Sequence, residues 1–139
     1  MRSPLIEIVT EITAAAGLAE AFRESEHFHL RLPNPGWMDL VVESWPGPRG
    51  GRRISVAHYY EQNGDLVPDP ETEITQDGDP ISLSQALGYT AVHDAYTRSD
   101  VALFLDMWAR NIREQGFIDA ARRYNTAHRL VGTTPHVPQ

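Results

Sequence analysis

The 139-residue chain contains no cysteine and no lysine. Without thiols, disulfides and thiolate metal centres are excluded, so stability has to come from a packed core. Long apolar runs are missing as well. Glu7 and Glu11 interrupt the apolar residues near the N-terminus, so neither a signal-peptide core nor a bilayer-spanning segment is expected, and the expected compartment is the cytoplasm. No glycine-rich phosphate loop, serine nucleophile elbow or lysine base occurs, and the stretch from Asp69 to Asp79 lacks the residue spacing of a calcium-binding loop. Arginine is absent from one long segment. None stands between Arg53 and Arg98, where Glu61, Asp65, Asp69, Glu71, Glu73, Asp77, Asp79 and Asp94 all fall. The formal net charge of −7 argues against non-specific binding to phosphate backbones, which an acidic surface repels.

What is present is ordinary globular material, 41% hydrophobic and 22% charged. The length suits one domain that buries roughly two-thirds of its unfolded surface. Ser3 before Pro4 predicts a helix start, and Leu5, Ile8, Val9 and Ile12 follow at helical spacing up to Gly17. From His27 the period changes to two. Phe28, Leu30 and Leu32 alternate with polar residues, a turn follows at Pro33 to Gly36, and a second strand runs from Trp37 to Trp45. A third is expected from Arg53 to Gln62. Asn63-Gly64 predicts a tight hairpin turn into a fourth strand around Glu71 to Gln76. One or two more strands are expected between Ile81 and Tyr96. A helix capped at Ser99 or Asp100 then carries Val101, Leu105, Trp108 and Ile112 on one face, with a last helix after Gly116. The expected fold is α+β: an N-terminal helix, an antiparallel meander of four to six strands, and C-terminal helices packed on one sheet face. Residues 1–131 are expected to form the single domain, and 132–139 a flexible tail.

Particular motifs stand inside these elements. They are Met38-Asp39-Leu40-Val41-Val42-Glu43, Val56-Ala57-His58-Tyr59-Tyr60-Glu61-Gln62-Asn63-Gly64-Asp65-Leu66 with Asp69-Pro70-Glu71, and Trp108 to Phe117. Through them the chain resembles, from about Leu5 to Phe117, an uncharacterised domain-of-unknown-function family. That family resembles in turn the accessory proteins of bacterial plasmids, phages and integrative elements. The resemblance implies a role on a mobile element but no reaction.

Candidate chemistry lies mostly in the hairpin region. Trp37, Asp39, Glu43 and Trp45 share one face of the second strand; with Tyr59, Glu61, Asp65, Asp69 and Glu71 they would form an acidic, aromatic surface suited to a basic protein partner. His58, Glu61 and Asp65 offer an alternative, a small metal-dependent hydrolase or nucleotide-processing enzyme. Alternation puts His58 and Glu61 on opposite strand faces, which favours a core histidine bonded to a backbone carbonyl. His27 and His29 have a zinc-like spacing without a third ligand. Arg110, Arg113, Arg122 and Arg123 would make a basic stripe for nucleic acid, against the commoner reading of a solvated face paired with acids. No cofactor is implied. The reading these features favour is a non-enzymatic binding protein with a protein partner, not nucleic acid or membrane; the oligomeric state is left open.

Overall fold

The computed structural model describes residues 2–86 and 88–132. Helix α1 (Pro4–Ala15) opens where Ser3 accepts a hydrogen bond from the Ile6 N–H at 3.4 Å. Its Leu5, Ile8, Val9 and Ile12 are buried, as their spacing requires. After Gly17 a short α2 (Ala19–Glu24) leads to the sheet. The strands β1 (Phe28–Asn34), β2 (Trp37–Pro46), β3 (Arg52–Gln62), β4 (Asp65–Thr75), β5 (Pro80–Gln85) and β6 (Gly88–Ala91) form one antiparallel meander in sequence order. Helices α3 (Ala95–Glu114) and α4 (Phe117–Gly132) follow. They pack with α1 on the face that carries Leu30, Leu40, Val42, Ile54, Val56 and Ile74. The architecture is α+β, as the periodicities indicate.

Asn63 and Gly64 both have positive φ, 53° and 86°, which a two-residue hairpin turn demands. The ladder therefore continues to the tip, and β4 begins at Asp65, not near Glu71. Pro68 and Pro70 hid this strand in the sequence. They are tolerated because β5 pairs with β4 only from Glu71 to Ile74, so the proline-bearing half is an edge with nothing to donate to on that side. A register shift separates the pairs Ala57–Glu71 and Tyr59–Pro68: two β4 residues, Asp69 and Pro70, stand against His58 alone. Such a bulge exchanges the faces of the residues beyond it.

Helix α3 starts a turn earlier than the Ser99 or Asp100 cap. Asp94 accepts from the Thr97 N–H at 2.8 Å, and Thr97 Oγ1 accepts from the Asp94 N–H at 3.1 Å. This reciprocal cap satisfies the first-turn donors without Ser99. The tail expected at 132–139 lies outside the described residues except for Gly132, which ends α4. No described helix is long and apolar enough to cross a membrane.

Candidate functional site

The sheet face turned away from the helices can be read in cross-strand rows. One row runs His29, Glu43, Ser55, Glu73, Ser82, Ala91; the next runs Arg31, Val41, Ala57, Glu71, Ser84, Tyr89. Residues directly opposite on one face stand within about 5 Å at Cβ, so these rows are contact lines. In the centre, Val41, Ala57 and Ser55 are buried although they lie outside the helix-covered core. They sit low between taller neighbours, which makes the face a trough.

A cavity of about 300 Å³ occupies that trough, lined by Glu43, Glu71 and Glu73 with Ser55, and walled by Trp45 and Tyr89. Ser55 is only 8% exposed, and it lines the trough floor. Glu73 is held by Arg53 at 2.7 Å. Glu43 has only the His29 ring at 3.9 Å, and Glu71 has no ion-pair partner among the described residues. Burial foremost, then the charges of Glu71 and Glu43, push the Tyr59 phenol above its ordinary value, with Arg31 opposing. Further along the face Trp37, Asp39, Tyr59, Glu61 and Leu66 line a shallower depression of about 490 Å³. There Asp39 is bound by Arg31 Nε at 2.7 Å.

The fold thus brings Trp37, Asp39, Glu43, Trp45, Tyr59, Glu61 and Glu71 onto one face. Asp65 and Asp69 do not join them. Beyond the bulge Asp65 pairs with Gln62 at the hairpin tip, on the alternation of the opposite face. Asp69 sits in the bulge itself, and its Oδ1 accepts from the Ala86 N–H at 3.0 Å. The sequence had pointed to neither Ser55 nor the β5–β6 residues Ser84 and Tyr89. The alternation of Ser82 and Ser84 about Leu83 was the available signal, in a segment whose strands were indistinct.

His58 belongs to the other face. It is buried between the Trp108 and Phe117 rings, with centroids at 5.4 and 5.6 Å. Its Nδ1–H donates to the Asp39 carbonyl at 3.3 Å. Loss of solvent holds its pKa below the ordinary value, against the hydrogen bonds to the Asp39 and Met38 carbonyls. Glu61 points away from it, and among the described residues no group of three or more His, Asp or Glu side chains is placed to share a metal ion. His29 lies on the outer face, while His27 precedes the strand. The C-terminal arginines are dispersed in their commitments. Arg113 grips Glu11 at 2.9 and 2.7 Å, Arg122 bonds Asp119 at 2.6 Å, and Arg123 donates to Asn34 Oδ1 at 3.2 Å. A phosphate would have to compete with these partners, and of the four only Arg110 has no side-chain partner among the described residues.

The family comparison covers most of the chain. A family model described as a domain of unknown function (DUF6908) matches residues 7–118. The chain belongs to that family. Neither a curated protein nor a solved structure matches it. Every residue of the outer-face trough lies inside the DUF6908 stretch, whereas α4 from residue 119 onward lies outside it.

Proposed function

We propose that the protein is a non-enzymatic binding protein, acting in the cytoplasm as an accessory of a mobile genetic element. Its outer sheet face receives a basic segment of a protein partner, such as a host defence or nucleic-acid-binding protein that it would inhibit. The observation that carries this reading is the trough itself. Glu43 and Glu71 stand beside Ser55, between the Trp45 and Tyr89 rings. An arginine side chain entering there would meet two carboxylates and an aromatic wall together, and charge-assisted bonds of this kind are worth about 1.5–3 kcal/mol each. A face built only for water would have no use for the aromatic walls.

The test is affinity capture with the wild-type chain and with two variants, Glu43→Gln/Glu71→Gln and Trp45→Ala, at low and moderate salt. The expected result is a basic protein retained by wild type, released as salt rises and lost from both variants. Capture of nothing by wild type, or equal capture by all three chains, would sink the reading.

A further inference from the structure

The helix-covered side of the sheet has the reverse electrostatic character at its Arg52 end. Between α1, α2 and the start of β3 lies a cavity of about 420 Å³, lined by Arg2, Arg23 and Arg52 over an apolar floor of Ile6, Phe22 and Ile54. A second cavity of about 500 Å³ shares Arg52 and adds Arg49. Asp77 is the single carboxylate that lines either one. The chain holds 19 acidic residues against 12 arginines, so an arginine has acids to choose from. Arg31, Arg53, Arg113 and Arg122 each hold a carboxylate within 3 Å. The other eight hold none among the described residues; of these Arg2, Arg23 and Arg52 line one cavity, where Arg2 donates to Thr10 Oγ1 at 3.0 Å, and Arg49 lines the adjoining one. The half-buried Arg52 donates through one terminal nitrogen to Ser44 Oγ at 2.8 Å, while its Nε–H is buried with no partner.

Guanidinium groups that outnumber the one carboxylate lining their cavity repel one another. An oxyanion seated among them offsets that charge. Three guanidinium forks suit the three terminal oxygens of a phosphate monoester better than the two of a carboxylate. The floor of Ile6, Phe22 and Ile54 gives the rest of such a ligand somewhere to bury. We propose that this cavity binds a small phosphate monoester with an apolar or aromatic body. Arg2, Arg23 and Arg52 hold the phosphate and the Phe22 side holds the body. The site is separate from the outer-face trough, and it stands or falls independently of it.

Amide and arginine side-chain NMR shifts of the full chain, titrated with inorganic phosphate and with phenyl phosphate, test the proposal. Both probes should bind saturably, with phenyl phosphate the tighter by about 10-fold, and the shifts should centre on Thr10, Phe22 and Gln76. Arg23→Gln and Arg52→Gln should each weaken binding by about 10-fold or more, while Arg110→Gln leaves it unchanged. Arg23 is exposed, so its variant keeps the test valid if Arg52→Gln misfolds. Absence of saturable binding up to about 50 mM of either probe would overturn the proposal. So would shifts that survive Arg23→Gln. Equal affinity for the two probes would remove the apolar half of it.

Discussion

Ser55 and Val56 are neighbours in β3, and they meet opposite environments. Val56 lies in the helix-covered core, where every apolar side chain removed from water contributes roughly 25 cal/mol per Å². His58, at the centre of that face, is bonded to a carbonyl, and burial holds its pKa below the ordinary value. Ser55 faces the trough, where Glu43 has only the His29 ring at 3.9 Å and Glu71 has no ion-pair partner among the described residues. One sheet therefore carries a face packed under helices and a face whose carboxylates are left open. Burial explains the apolar core of the first. It explains nothing about the second, and that difference is why the outer face is the functional candidate.

The comparison breaks hardest at the inner face. Phe117→Ala removes a fully buried ring that also covers His58, and it should cost about 3–5 kcal/mol in a urea titration. A loss below about 1 kcal/mol would mean that the helix layer is not seated as described. Next comes Gly78, whose φ is 94° and whose added Cβ would meet the Ser3 Oγ that caps α1. Gly78→Ala should cost about 1–3 kcal/mol, because left-handed backbone strain and a displaced helix cap act together. A thermal midpoint unchanged from wild type would refute that coupling.

His58 sharpens the comparison through pH. Its native pKa is depressed from 6.5, so in acid the unfolded chain binds a proton that the folded chain refuses. The stability this contributes is intact above 6.5 and declines as pH falls below it, levelling off once the folded pKa is passed. Thermal midpoints at pH 7.5 and 5.5 should fall further in wild type than in His58→Gln; equal falls would count against the assignment. The smallest effect belongs to the outer face. Glu43→Gln/Glu71→Gln should change stability by less than about 0.5 kcal/mol. It should, however, bring the Tyr59 phenol back toward its ordinary value, since both charges help to raise it. A tyrosine NMR titration that showed no movement would mean that the two carboxylates do not act on that ring.

Much of this layout was legible beforehand. Period two in Phe28 to Leu32 and Trp37 to Trp45, the Asn63-Gly64 turn and the helical stripe of Val101, Leu105, Trp108 and Ile112 gave elements and faces. That was possible because each signal is carried by residues within one or two turns of each other. It also placed seven of the nine candidate binding residues on one face. The errors have local causes. Pro68 and Pro70 disguised the first half of β4, and the bulge opposite His58 moved Asp65 out of the alternation that Glu71 follows.

The trough from which the argument for function proceeds is a different kind of fact. The sequence by itself determined an acidic, arginine-free hairpin, two tryptophans in step with two carboxylates, and a histidine on the apolar side of its strand. Tertiary structure alone decided that Ser84 and Tyr89 close the trough beside Glu71, and that Arg2, Arg23 and Arg52 share one cavity. The physical reason is distance along the chain. Alternation and capping are settled by neighbours, whereas convergence depends on cross-strand register, bulges and the seating of helices on the sheet, which no single segment encodes.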